Sequence, residues 1–577
     1  MAMREKTARR SGGITFHHPG AFWFGISAAT VGTLLTLPEY WAARHTCKMV
    51  PVTVPGSPLV KQCYVLAGKG VDGAMAFGMA LMLIGIAATF YGLFPRLSEV
   101  SKGYISRIRV RAMDDAPLKP AHVALLLVMA VAVTIDIMKP TQLSFVVPGM
   151  AKEYGLKTPA NVLASGPRVA WLPLSGITGT VLGSFIWGFL GDRIGRRASI
   201  LLAALLFIVT SACGAMPNYN WNFAMCFIMG IGVGGMLPIA FALLSETIPA
   251  RHRGWLMVLI GGDVAGAYII TSTLATAYIP TYSWRIMWLI GIPTGVLLIA
   301  LNYFIPESPR FLLANGRDEE ARAVMERYGA QVVEADLTEF KQVEERVRSR
   351  FAQLFERPFG GLSGALILFA LALGFITFGF QLWLPTNLTK LLAAKGLTNT
   401  EVTSDRILRN ASLIGFPATF VVAWLYGFWS SKKTMILLAV LTAVTLGLFI
   451  VKGNSLASHI SLLKFYLVLL LIGVSSVAAV IVPYSSEVYP TRIRSRGTGL
   501  LAGATKAGGV LVIALVVFGI AIPSIRITAI WGGVTMALAA VAVAAYGIET
   551  RQKRLEQITA EELDHAEPQT QAPTSVR

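Results

Sequence analysis

Charge is scarce in this chain: 14% of its 577 residues are Asp, Glu, Lys or Arg, against 54% that are hydrophobic. A soluble globular protein carries roughly a quarter charged residues, so the shortage excludes water as the solvent for most of the chain. Cysteine is scarcer, with four residues, and with the scattered histidines it forms no metal-ligand spacing. No nucleophile stands in a pattern with a base, and no glycine-rich loop follows a strand as a nucleotide site requires. These absences point away from an enzyme, a metal site and an organic cofactor.

Long apolar runs are what the chain has instead. Crossing a bilayer takes about 20 apolar residues, and about fourteen stretches qualify: 20–40, 73–94, 119–138, 169–190, 198–216, 221–243, 255–277, 285–305, 361–384, 409–429, 434–451, 462–483, 498–520 and 525–547. The chain reads as an all-α polytopic membrane protein, with the lipid bilayer as its principal partner.

The net charge of +19 does not indicate nucleic acid, because the basic residues are spread over short loops. Arg193, Arg196 and Arg197, then Arg251 and Arg253, then Lys432 and Lys433, then Arg492, Arg494 and Arg496 fall at alternate helix ends. That is the positive-inside pattern of cytoplasmic loops. It predicts a multi-pass protein of the cytoplasmic (inner) membrane with both termini in the cytoplasm. The loop 41–72 then lies outside, where Cys47 and Cys63 are a candidate disulfide, the alternative being two free thiols. Cys213 and Cys226 fall within spans and read as small apolar fillers.

One element occurs twice. Ser245-Glu246-Thr247-Ile248-Pro249-Ala250-Arg251-His252-Arg253 matches Ser486-Glu487-Val488-Tyr489-Pro490-Thr491-Arg492-Ile493-Arg494 as S-E-x-x-P-x-R-x-R. Charged turns repeated at the ends of two membrane-length helices imply a chain built twice, the usual architecture of a transporter. The divisions expected are a hairpin with a basic connector over 1–118, a six-helix bundle over 119–305 and a hydrophilic linker over 306–358. A second bundle over 359–548 and a disordered cytoplasmic tail over 549–577 complete the chain.

Gly188-Phe189-Leu190-Gly191-Asp192-Arg193-Ile194-Gly195-Arg196-Arg197 resembles the G-x-L-x-D-R-x-G-R-R signature of the major facilitator superfamily. The twin turns and Pro306-Glu307-Ser308-Pro309-Arg310-Phe311 are similar to motifs of its sugar-porter and metabolite:proton-symporter branch. The resemblance covers roughly residues 119–548. It implies a twelve-helix core of two pseudo-symmetric bundles, to which the N-terminal hairpin adds two helices. It also implies a monomer that moves a small molecule by alternating access, driven by protons without a cofactor.

Within that frame Gly188, Asp192, Arg193, Gly195, Arg196 and Arg197 are expected at a cytoplasmic gate, with Glu246–Arg253 and Glu487–Arg494 as ion pairs. Asp192 is expected to dock on a helix N-terminus, where the dipole favours negative charge. The second-half counterpart, Gly427 to Lys433, has no acid, so the latch is expected to be asymmetric.

Ionisable residues within spans are the candidates for the transport path, since charge in hydrocarbon costs several kcal/mol unless paired or hydrated. They are Asp136 and Lys139, three apart on one helical face, with Asp263 and Lys506. In the branch resembled, a first-helix Asp carries the proton opposite a fourth-helix Arg. Here Cys226 stands at that position, leaving Lys139 as a candidate replacement. An Asp136–Lys139 pair of purely structural role and a helix-packing role for Asp263 are the alternatives. Phe378, Gln381, Trp383 and Asn387 are candidates for a cavity wall, or for interfacial anchors. Gly230 to Gly235 reads as a helix-packing surface.

Three functions fit: inward proton symport of a small polar metabolite such as an organic acid or sugar, proton-antiport efflux, and a non-transporting sensor. The lysines favour a carboxylate cargo.

Overall fold

The computed structural model describes residues 9–11, 14–51, 59–94, 113–158, 164, 166–331, 351–357, 359–393, 400–452, 460–489, 491–518 and 525–551. Among these, thirteen helices are long and apolar enough to cross a membrane. Trp171–Ile194 supplies the further one expected at 169–190. Two helices form the hairpin, α1 (Pro19–Ala43) and α2 (Gly73–Leu93).

The first bundle comprises α3 (Pro120–Glu153), α4 (Trp171–Ile194), α5 (Arg196–Thr210, extended by a 3-10 turn to Ala215), α6 (Tyr219–Thr247), α7 (Ala250–Tyr282) and α8 (Ile286–Phe304). Short helices α9 (Pro309–Ala314) and α10 (Asp318–Arg327) follow. The second bundle comprises α11 (Phe359–Ala393), α12 (Val402–Trp429), α13 (Ser431–Lys452), α14 (Ile460–Val488), α15 (Thr491–Val517) and α16 (Ile525–Tyr546). The bundles meet where α7 lies against α12 and α14, and where α4 lies against α15.

One boundary differs from expectation in a way that matters. The first core helix does not stop near 138 but runs through Pro140 and Pro148 to Glu153. A membrane helix tolerates an internal proline when side chains and neighbours re-satisfy the freed backbone, and Thr141 donates to the Ile137 carbonyl at 2.8 Å beside it. Asp136 and Lys139 therefore sit midway along α3 rather than near its end.

The glycine run of α6 is a packing surface, as read: a Cβ on Gly230 would fall 2.0 Å from the Gly176 carbonyl of α4. The hairpin uses the same device, α1 and α2 closing on Gly25 and Gly85. It docks along α5. As a result 94% of the most apolar stretch of Arg196–Ala215 is buried, against 44% for Ser431–Lys452, the third helix of the other bundle.

The hairpin loop is anchored too. Cys47 and Cys63 are disulfide-linked across the antiparallel pair β3 (Cys47–Pro51) and β4 (Leu59–Cys63). β1 (Arg9–Ser11) and β2 (Ile14–Phe16) pair ahead of α1. The Leu66 N–H donates to the Glu153 carboxylate at 2.8 Å, and that carboxylate also receives Arg285 at 2.6 Å and the Trp284 indole at 2.8 Å. A buried pair of this kind is costly to break from one side, so the loop is tied to the end of α3. The connector 95–112, the linker 332–350 and the tail beyond 551 lie outside the described residues.

Gly25→Leu inserts bulk where a Cβ already falls 2.6 Å from the Gly85 carbonyl. Overpacking of this kind costs about 1–3 kcal/mol, expected as a lower melting temperature of the detergent-solubilised protein. An unchanged melting temperature would contradict the hairpin contact.

Candidate functional site

Asp136 from α3 and Lys506 from α15 face a single cavity of about 590 Å³ between the bundles. Its wall combines the apolar Val133, Ile137, Leu237, Phe241 and Phe378 with the polar Thr141, Ser144, Tyr268, Thr377, Gln381 and Thr505. Gln381 and Phe378 lie in a π-helical stretch of α11, Phe375–Gln381, a distortion frequent at functional sites. Asp136 is 2% exposed, and its Oδ1 has no hydrogen-bond partner among the described residues. Lys506 lines the same cavity without a direct salt bridge to Asp136. The Lys506 ammonium donates to Ser184 Oγ at 2.6 Å and to the Gly234 carbonyl at 2.9 Å, both in the first bundle.

The other sequence candidates separate. Lys139 does not line the cavity. It is buried with its Nζ 5.6 Å from the centre of the Phe207 ring on α5, and no ion pair joins it to Asp136. One helical face is broad enough for residues three apart to turn to different neighbours. Asp263 sits at the break in α7 and accepts from Thr134 on α3, outside the cavity wall. Trp383 and Asn387 are also absent from the wall, Trp383 being buried beyond it. Cys226 faces α4, its Sγ 3.6 Å from the Leu172 carbonyl, so no cation from α6 stands near Asp136 at this position. Tyr268 joins the site without any sequence signal beyond its place in an apolar helix.

From midplane the cavity widens toward the end that carries the arginine turns. Arg196, Glu246, Arg310 and the exposed Arg496 line its mouth. The opposite end is shut between α4 and α15, where Arg168 donates to the Val517 carbonyl and Trp171 meets Phe518 edge-on at 6.3 Å. The structure is thus open at the basic end and closed at the disulfide end.

The expected gate partners at the basic end are rearranged. Glu246 does not pair with Arg253; it accepts from Ser308 and lies 3.7 Å from Arg196. Arg253 pairs instead with Asp114, just before α3, and donates to the Ile248 carbonyl at 3.3 Å. Glu487 accepts from Tyr426 at 2.8 Å and Thr550 at 2.7 Å. Gly188 is in the last turns of α4 and Arg193 at its C-terminus, while the side chains of Asp192 and Arg494 lie outside the described residues.

The N-terminus of α5 holds Glu307, which accepts from the N–H of Arg196 at 2.8 Å and of Arg197 at 3.3 Å. Gly195, at φ +96°, leaves room that a side chain would close: a Cβ there would fall 2.3 Å from Glu307. The second bundle repeats this with a residue assigned from sequence to the disordered tail. Glu549 accepts from the Ser431 N–H at 2.9 Å and from Ser430 at the N-terminus of α13. Glu549 is thus the second-bundle counterpart of Glu307, while 427–433 itself has no acid matching Asp192. Glu307-Ser308 and Glu549-Thr550 each follow the last helix of a bundle, and each offers its hydroxyl to the Glu of a twin turn. That repeated acid–hydroxyl pair was the available signal.

Residues 142–561 match the family described as Sugar (and other) transporter. The chain belongs to this transporter family. The chain is 28% identical over 454 residues to the niacin transporter NiaP of Acinetobacter baylyi, covering 78% of this chain and 99% of that one. It is 26% identical over 415 residues to the 4-hydroxybenzoate transporter PcaK of the same organism, covering 69% and 85%. The fold is that of the proton:xylose symporter XylE, a major facilitator superfamily protein, solved with 6-bromo-6-deoxy-D-glucose. There the TM-score is 0.59 at 19% identity, over 76% of this chain and 99% of that one. The protein is a multi-pass membrane transporter of a small molecule, not an enzyme.

The two caps of this transporter differ in charge behaviour. Burial raises the Glu307 carboxyl above its ordinary value, against the bonds from Ser308 and Arg196. Burial also opposes ionisation of Glu549, but the bonds from Ser430, Ser431 and the Arg551 N–H hold it below its ordinary value. A depressed carboxyl stabilises the fold fully above its unfolded value of about 4.3 and loses that contribution as pH falls through the folded value. Glu549→Gln is expected to lose about 0.5–2 kcal/mol at pH 7, shrinking on acidification in thermal melts. A variant as stable as wild type at pH 7 would remove Glu549 from the capping role.

Proposed function

We propose that this transporter carries a small organic acid with a planar apolar body into the cell, together with protons. The single observation that carries this reading is the placement of a buried carboxylate and an ammonium, one from each bundle, on one cavity beside the aromatic and aliphatic side chains Phe378, Phe241 and Leu237. A flat acid needs one cation and an apolar slot, as Phe378, Phe241 and Leu237 would provide with Lys506. The names of the two bacterial relatives, niacin and 4-hydroxybenzoate transporters, fit the same cargo class.

Asp136 is the proton carrier in this reading. A carboxylate at membrane depth is tolerated when paired, hydrated or neutralised, and Asp136 faces the cavity with an oxygen that no protein group satisfies. The positive-inside bias of the basic turns favours a cytoplasmic open end, which would make this conformation inward-open in the cytoplasmic (inner) membrane of a bacterial cell. Alternating access would then open the Arg168–Val517 side and close the mouth at Arg310 and Arg496. No cofactor is required, the proton gradient supplying the energy, and one chain contains the whole path.

Purified protein in liposomes with an inward proton gradient should accumulate nicotinate or 4-hydroxybenzoate in preference to xylose or a lipophilic cation. Asp136→Asn should abolish accumulation while keeping counterflow exchange of the same acid. Uptake confined to sugars, or extrusion of cations against the proton flow, would reject the cargo class or the direction. Unchanged accumulation in the variant would remove Asp136 from the proton path.

A further inference from the structure

Lys506 has three N–H donors, and the two hydrogen bonds it makes to Ser184 and Gly234 leave one of them and the full charge directed at the site. Asp136, on the opposite bundle, lines the same cavity and has an oxygen with no hydrogen-bond partner among the described residues. The remaining ionisable residues near the midplane are turned elsewhere. On α7, Asp263 is held by Thr134; on α6, Cys226 faces α4; on α3 itself, Lys139 lies over Phe207. Tyr268 is the other titratable group on the midplane wall, and the charged residues Arg196, Glu246, Arg310 and Arg496 stand at the solvent-reached mouth. Among the described residues the midplane wall therefore has one carboxylate and one ammonium, contributed by different bundles.

We propose that Lys506 is the countercharge shared in turn by Asp136 and the substrate carboxylate, and that the site occludes only when its contents sum to zero charge. This rests on the reading of the cavity as a carboxylate:proton path. Empty, ionised Asp136 balances Lys506. Loaded, a proton neutralises Asp136 and the incoming carboxylate takes over the balance of Lys506, so the sum is again zero. A bound anion without the proton leaves one negative charge, and a proton without the anion leaves one positive charge. Either is a lone charge in a water-poor interior, which is strongly unfavourable. Because Asp136 and Lys506 belong to opposite bundles, the charge balance is read at the place where the bundles must close on each other. One proton per monocarboxylate follows without any further gate, and the cycle moves no net charge.

The balance predicts distinct failures. Asp136→Asn leaves Lys506 alone when empty but neutral when an anion is bound, so exchange survives and the return of the empty carrier fails. Lys506→Met is neutral with a protonated Asp136 and a neutral cargo, but carries an uncompensated charge with a carboxylate. Truncating one member of a buried charge pair leaves the other uncompensated, so nicotinate's advantage over nicotinamide is expected to fall by roughly a hundredfold in that variant.

The test uses the full chain in liposomes, with nicotinate and nicotinamide as probes. In wild type, a pH gradient should drive nicotinate uptake and a potassium diffusion potential at equal pH should not. Lys506→Met should lose nicotinate flux and keep or gain nicotinamide flux, which also demonstrates a folded protein, while Lys506→Arg should restore the preference for the acid. Nicotinate uptake by Lys506→Met with the wild-type KM, or wild-type uptake driven by the membrane potential alone, would overturn the shared countercharge. A wild type that takes up none of the acids overturns the underlying cargo class instead.

Discussion

A charge held away from water is costly without a partner, and both ends of this molecule are arranged around that constraint. At the disulfide end, Glu153 and Arg285 neutralise each other where α3 meets the turn after α7, with Trp284 and the Leu66 N–H completing the carboxylate's bonds. At the basic end, Glu307 and Glu549 are each satisfied by a helix N-terminus, where exposed N–H groups and the helix dipole favour an anion. In the middle, Asp136 and Lys506 form no direct salt bridge, and among the described residues the other charges lining their cavity are those at the mouth. The incomplete pair is the one that faces the cavity. Permanent pairs hold the bundles, and the unfinished pair is left for what passes between them.

The two ends differ in kind as well as in state. Closure at the disulfide end combines one side chain-to-carbonyl bond, Arg168 to Val517, with a ring contact between Trp171 and Phe518. Closure of this type is cheap to undo, since each contact contributes only about 0.5–1.5 kcal/mol. The basic end is held within each bundle by networks of four or more groups, so rocking there moves whole assemblies, the caps travelling with their helices. The hairpin lies outside this motion. It covers α5 on the side away from the cavity and fixes its loop to Glu153, which makes the first bundle the heavier and more tightly braced of the two.

Much of this was legible in the amino-acid sequence, for reasons specific to each element. Apolar length marks a membrane span because hydrocarbon thickness sets it, and the twin S-E-x-x-P-x-R-x-R turns mark the repeat. The continuation of α3 past Pro140 was hidden, since proline is a breaker in water and a tolerated residue in a membrane bundle. Partners across the gate were hidden for another reason. Arg253 finds Asp114, 139 residues earlier, and no local spacing identifies that choice over Glu246, seven residues away. Glu549 looked like the start of a polar tail because its role appears only when α16 returns beside α13. Lys139 and Lys506 were indistinguishable as lysines in apolar runs, and only tertiary placement turns one toward Phe207 and the other toward Asp136.

Alternating access around the Asp136–Lys506 site is the claim on which the functional reading depends. Its most direct measurement is a pair of spin-label distances in lipid nanodiscs, one between positions 168 and 518 at the disulfide end and one between 310 and 496 at the mouth. Without cargo the first should be short and the second long. Nicotinate at acidic pH should lengthen the first and shorten the second, while nicotinate at alkaline pH, which supplies the anion without the proton, should leave both near their cargo-free values. Distances at both ends that stay fixed under acid and cargo together would contradict alternating access at this site.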